Sequence, residues 1–235
     1  MRKRPAAIVT MPPDEEKQPV SLGLWRHLLP LRLLLYRVLP SSWRLADRAG
    51  RRRYLASLQK QGIVRLNLGC GDMPLWDYIN VDSISPLADV RQDARSLTAF
   101  SDNSATEIHS SHMIEHLPRA DVEKALCEWH RVLKPGGKLI IRCPNFEIAA
   151  RAFLEGDDVF RQGWGMVFVF GDDREGMRHT NGFTVASLRD AVEKAGFTAC
   201  HVRATESIHA PQDFKYRAVA DLLCEAVKQA PDKRG

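Results

Sequence analysis

Residues 66–83 read "LNLGCGDMPLWDYINVDS": an apolar run, two glycines at Gly69 and Gly71, then a second apolar run that closes on Asp82. Short apolar runs bounded by Gly and Asp read as strands. Glycines at a strand end let the backbone approach a ligand closely, and free N–H groups in such a turn favour a polar or anionic ligand atom. A carboxylate at the next strand tip can accept hydrogen bonds from both hydroxyls of a ribose. In dinucleotide-binding folds that carboxylate follows the glycines by about 20 residues, across a helix. Here ten residues separate Gly71 from Asp82. A crossover helix does not fit, which disfavours a nicotinamide or flavin oxidoreductase.

Outward from this stretch the pattern stays regular. Strand-like runs follow at "ATEIHSS" (105–111), "KLIIRC" (138–143) and "FTACHVRA" (197–204), and helical periodicity at "RADVEKALCEWHRVL" (119–133) and "TVASLRDAVEKAG" (184–196). Alternation of this kind predicts an α/β fold, a Rossmann-like, doubly wound, mostly parallel sheet covered on both faces. Asp121 suits the positive end of the first helix, Pro135-Gly136-Gly137 is read as its stop, and Thr184 is the expected N-cap of the second. "DLLCEAVK" (221–228) reads equally as strand or helix.

With 235 residues and 27% charged side chains, the chain has the composition of a globular protein holding one α/β domain and an appendage. Its five cysteines are scattered and form no C-x-x-C pair, which argues against a disulfide framework or a structural zinc site and fits a reducing cytoplasm. The basic start "MRKRP" leads into only four apolar residues, so a secretory signal is not expected.

Charge is divided unevenly. Residues 1–65 hold 14 Lys/Arg against 4 Asp/Glu, whereas the remainder holds 20 against 25. Proline-rich residues 1–20 read as a disordered arm, 21–60 as a basic helical extension, and 61–230 as the main domain. Within the extension, "SLGLWRHLLPLRLLLYRVLP" (21–40) is leucine-rich but broken by Arg26, Arg32, Arg37 and Pro30. It is too interrupted to span a bilayer; it suits packing on the body or peripheral contact with the inner face of a membrane. The acidic main domain disfavours nucleic acid as a partner.

The runs "VRLNLGCGD", "NVD", "RQDARSL", "HSSHMIEHL", "RVLKPGGKLIIRCPN" and "HTNGFTVASLRDAVEKAGF", in this order over 63–202, resemble the class I S-adenosylmethionine-dependent methyltransferases of the type 11 branch. The resemblance implies S-adenosyl-L-methionine as cofactor. Asn67, Gly69, Cys70 and Gly71 would then border its methionine end, with Asn67 standing where the family usually has Asp or Glu. Asp82 would hold the ribose, Asp93 the adenine amino group with Ala94 beside the ring, and Ser110, Ser111 and His112 the floor near the sulfonium. Loss of the Asp82 carboxylate is expected to weaken cofactor binding by about 1.5–3 kcal/mol with little unfolding.

"HMIEH" (112–116) also fits an inverted zinc-protease spacing. Because it follows a strand and ends at Leu117-Pro118, no metal is expected. Methyl transfer from a sulfonium needs alignment more than catalytic side chains, and one base helps a hydroxyl or amine acceptor. His112 is the first candidate and His179 the second; each reads equally as a structural histidine. Trp164, Phe168 and Phe170, in the segment 146–178, are candidates for an acceptor pocket or for ordinary packing. The expected acceptor is an oxygen or nitrogen of a small molecule, lipid-linked sugar or glycan. The alternative is a non-catalytic nucleotide-binding or membrane-associated module with a decayed site.

Overall fold

The first apolar run does form a strand. In the computed structural model, which describes residues 41–230 apart from 175 and 211, β1 is Arg65–Leu68. It is followed by β2 (Ile79–Asp82), β3 (Val90–Arg91), β4 (Ala105–Ser111), β5 (Leu133–Pro144), β6 (Phe197–Thr205) and β7 (Asp221–Lys228). The sheet order is β3-β2-β1-β4-β5-β7-β6, with β7 antiparallel to both its neighbours. The doubly wound sheet read from the sequence is therefore present, and the ambiguous "DLLCEAVK" is its reversed strand. β3 has only two residues, too few for its sequence to announce a strand.

Helices α1 (Ser41–Lys60), α2 (Arg119–Val132), α3 (Phe146–Glu155), α4 (Asp158–Phe160), α5 (Met166–Phe170) and α6 (Val185–Lys194) accompany the strands. On α2, Val122, Ala125, Leu126, Trp129 and Val132 are buried at steps of three and four, one stripe of a 3.6-residue helix. The stripe joins Leu66, Leu68, Ile108, Leu139 and Ile141 of the sheet in the core. Trp129 is fully buried and its indole N–H donates to the Ala94 carbonyl at 2.8 Å. Truncating it to Ala would cost about 3–5 kcal/mol. At the start of α6, Thr184 and Ser187 form a reciprocal capping box, as the sequence led one to expect of Thr184.

Pro135-Gly136-Gly137 does not end α2, which stops at Val132. The tripeptide instead forms a bulge in β5: Leu133 pairs with Ala105 and Lys138 with Glu107, so four residues on one strand stand opposite one on the other.

Between β1 and β2 the chain makes no helix, and side chains hold the link instead. Asn80 accepts from the Leu75 N–H at 2.8 Å and donates to the Leu75 carbonyl at 3.0 Å. Arg51 donates to the carbonyls of Trp76 at 3.1 Å, Leu75 at 3.3 Å and Tyr78, and pairs with Asp89. Asp89 in turn accepts from the Asn80 N–H at 2.8 Å.

The chain divides into two compact units, residues 1–50 and 51–235. The boundary read at residue 61 thus falls inside the second unit, to which Arg51 belongs. The arm at 1–20 and the leucine-rich 21–40 lie outside the described residues. Among the described residues no helix is long and apolar enough to cross a membrane.

Candidate active site

Because β1 to β4 run parallel, their C-terminal ends share one edge of the sheet. In strand order that edge carries residues 92–94, Asp82, the 69–71 turn and residues 110–112. Ligands of open α/β sheets bind at such an edge.

Gly69 and Gly71 both have left-handed backbones, with φ of 67° and 47°. A Cβ on Gly69 would stand 2.1 Å from Cγ of Met113, so the loop after β4 rests directly on this residue. Nothing lies within 4 Å of the corresponding position on Gly71, which leaves room for a ligand there. The expectation of free N–H groups is corrected: those of Gly69 and Cys70 both donate to the Val81 carbonyl, at 2.8 and 3.3 Å, and that of Gly71 to Asp82 Oδ2 at 2.9 Å. The turn offers space, and its donors are spent on the strand beside it. Burial pushes the Cys70 thiol up to about 12, with the Asp82 charge adding to it, so this residue is an inert lining group.

Asp82 also accepts from the N–H groups of Ile84 and Ser85, each at 2.8 Å. A carboxylate has about four lone-pair sites. Three serve the backbone, which leaves about one, on Oδ2, for a ribose hydroxyl; a second becomes available when the Gly71 bond opens. The carboxylate therefore shapes both loops as well as facing the edge.

Asn67 is 3% exposed and its side chain is fully engaged, donating to Asn80 at 2.9 Å and facing His109 Nδ1 at 3.2 Å. It works as part of the polar interior that fixes the β1–β2 link. Burial, followed by the Arg142 charge, lowers the His109 imidazole to about 4, so this ring is neutral. The Arg95 guanidinium holds the Asp93 carboxyl below the usual carboxylate range and bridges it to Asp121. Ala94 is fixed by its carbonyl bond to Trp129. Ser110 is fully buried and its hydroxyl has no hydrogen-bond partner among the described residues; Ser111 is half-buried beside it.

His112 has a left-handed backbone at φ 51°, uncommon for a side chain of this size. Its N–H donates to the Arg142 carbonyl, Nε2 lies 3.1 Å from Asp221 Oδ2, and Nδ1 lies 3.5 Å from Glu115 Oε1. Burial alone would lower this imidazole, but the two carboxylates outweigh it and raise it to about 9. His112, the first candidate for proton acceptor, has Nε2 within hydrogen-bond distance of Asp221 and Nδ1 facing Glu115 at ion-pair distance, an arrangement that favours the protonated ring. Asp221, 1% exposed at the start of β7 and also paired with Arg142 at 3.5 Å, joins His112 at this edge from 109 residues away, a contact no local spacing announces.

His179 lies beside Glu115, as His112 does, its ring 5.1 Å from that of His116. The Thr180 and Asn181 N–H groups tie its loop to the Glu115 carbonyl at 2.9 and 3.0 Å. Of the aromatic candidates, Phe168 lines a cleft with Pro144, Ile148, Ala149, Phe214 and Ala220. Trp164 packs on Phe168 at 5.8 Å, whereas Phe170 is 57% exposed and lines no part of it. Phe214, which stacks on Phe160, was not foreseen.

Residues 66–141 match the methyltransferase-domain family, type 11. The sheet is shared with two solved structures. One is a SAM-dependent methyltransferase from Archaeoglobus fulgidus, at 16% identity and TM-score 0.51, with 80% of this chain and 100% of that one covered. The other, from Thermotoga maritima, is described as a SAM-dependent methyltransferase, possible histamine N-methyltransferase; it has 18% identity and TM-score 0.52 over 87% and 100% of the two chains. At these identities the likeness concerns the fold. No curated protein matches the sequence. Residues 66–141 therefore match a methyltransferase domain on a class I methyltransferase fold, which supports S-adenosylmethionine as the cofactor. The open face of Gly71 and the unused lone pair of Asp82 fit that molecule.

Proposed function

We propose that the protein transfers a methyl group from S-adenosylmethionine to an oxygen or nitrogen of a small molecule, with lipid-linked sugars and glycans in the same class of acceptor. The observation that carries this reading is the joining of the Gly69–Gly71 turn to Asp82 through the 2.9 Å bond from Gly71. It sets an open backbone surface and a hydroxyl acceptor side by side at the strand ends.

When bound, the cofactor supplies an electrophilic methyl on a positively charged sulfur, so the leaving thioether needs no activation. The chain's task is then to align the acceptor and exclude water. Asp82 would hold the ribose through its remaining lone pair, Asp93 would accept from the adenine amino group with Ala94 beside the ring, and Ser110, Ser111 and His112 would form the floor near the sulfonium. His112 acts there as a fixed donor braced by Asp221, and its uncommon backbone is held by three contacts. Phe168 and Phe214 offer an apolar wall to the acceptor.

Calorimetry with S-adenosylhomocysteine, followed by measurement of its release from S-adenosylmethionine over panels of amines and alcohols, tests this. Folded protein that binds neither cofactor form would sink the reading in favour of a decayed module. The membrane branch rests on the leucine-rich 21–40 alone. Flotation of the full chain with anionic and neutral liposomes tests it, and no partitioning into either removes it.

A further inference from the structure

We propose that Glu115, His116 and His179 form a binding site for a divalent transition-metal ion of the zinc class. One potential ligand atom from each residue lies within 4.8 Å of the others. Ligands to a single ion at bond lengths of about 2.1 Å lie about 3.4 Å apart, so modest side-chain rotation closes the set. Two imidazoles and one carboxylate suit zinc and its neighbours rather than magnesium or calcium. Three protein ligands with a position left over is the pattern of catalytic, open sites.

A second observation points the same way. Glu115 is 1% exposed, yet neither of its carboxylate oxygens has a hydrogen-bond donor among the described residues. The His112 imidazolium, with Nδ1 at 3.5 Å, offsets part of the Glu115 charge but leaves both oxygens without a hydrogen bond. A buried carboxylate without a donor is costly, and a cation bound between the residues removes that cost.

His116 is already arranged as metal-binding histidines are. Its Nδ1 lies 2.9 Å from the Arg178 carbonyl, which fixes the N–H on that nitrogen and turns Nε2 out as a ligand. Its own carbonyl accepts from Thr180 Oγ1 at 3.0 Å, binding the two histidine loops together. The expectation of no metal came from asking for both histidines of "HMIEH" on one helix. The structure drops His112 from the set, carries Glu115 and His116 on a single 3-10 turn, and recruits the third group 63 residues beyond His116.

The test uses the full chain stripped with a chelator and titrated with zinc against a chromophoric competitor. One equivalent taken up is the expected result. His116→Ala and His179→Ala should each weaken uptake by at least ~10–100-fold, the loss that even an outer partner of a metal ligand produces. Substituted cobalt should show visible bands without the thiolate charge-transfer band that ligation by cysteine would bring. Glu115→Gln alters a fully buried carboxylate, so the two less buried histidines carry the comparison, with S-adenosylhomocysteine binding as the check on folding. Failure of the wild-type chain to take up zinc while it still binds S-adenosylhomocysteine overturns the proposal and leaves the methyltransferase reading intact. So does uptake that survives both substitutions, or a thiolate band.

Discussion

Replacing Asp82 separates two roles that the structure gives to one carboxylate. Its Oδ1 accepts from Ile84 and Ser85 and its Oδ2 from Gly71, so Asp82→Ala removes three backbone hydrogen bonds. At about 0.5–1.5 kcal/mol net each, the loss of stability is ~2–4 kcal/mol, against the little unfolding that the sequence alone leads one to expect. Asp82→Asn can keep its oxygen on Ile84 and Ser85 while its NH2 meets the Gly71 N–H, donor against donor. That variant should lose only ~1–2 kcal/mol of stability. Both variants forfeit the charged acceptor for the ribose, worth about 1.5–3 kcal/mol, or ~10- to 150-fold in the dissociation constant for S-adenosylhomocysteine. Urea unfolding and calorimetry on the same samples measure the two quantities separately. Equal unfolding midpoints for the wild type and both variants, or an unchanged dissociation constant in Asp82→Ala, would refute this account.

Other expectations follow from the same geometry. Arg51→Ala strips four backbone and carboxylate contacts from the β1–β2 link and leaves Asp89 unpaired, so a loss of ~2–4 kcal/mol in urea unfolding is expected; Arg51→Lys should not restore it, because one ammonium cannot reproduce the fork. Gly69→Ala places a methyl group against Cγ and Cβ of Met113 at a positive φ; it should cost ~2–4 kcal/mol and shift Met113, which a drop in melting temperature together with weaker S-adenosylhomocysteine binding would report. His109 is neutral in the folded chain, with its pKa lowered to about 4. The unfolded chain takes up a proton near pH 6.5 while the folded one does not, so this contribution is intact above pH 6.5 and is lost as pH falls from 6.5 to about 4. The full loss is about 3 kcal/mol; His109→Gln should flatten that part of the stability profile, and an unchanged acid slope would exclude His109 as its source.

The sheet was legible because its strands are apolar runs closed by turn residues and its long helices carry a clear stripe. Val122, Ala125, Leu126 and Trp129 announce α2 without any knowledge of its partners. Local spacing also located the Gly69–Gly71 turn and Asp82. It could not tell how the turn's donors are used, since the Val81 carbonyl and the Asp82 carboxylate reach them only after β1 and β2 pair. The absence of a crossover helix was readable from ten residues, whereas its replacement by Arg51 and Asn80 was not. Neither side chain is unusual in sequence, and what they satisfy are backbone groups 24–27 residues and 2–5 residues away. The partner of His112 was not legible either, because the acid it faces lies 109 residues later.

That distance has a bearing on how the protein is made. β7 runs against its neighbours, so its first residue, Asp221, arrives at the edge where the parallel strands finish. During synthesis β1 to β5 and α2 can associate while His112 has Glu115 but still lacks the second of its two carboxylates. This part of the edge is complete only once β7 has been made and pairs between β5 and β6. A chain released early, even with every cofactor-facing residue of β1 to β4 in place, would hold the imidazole of His112 in its uncommon backbone by two restraints instead of three.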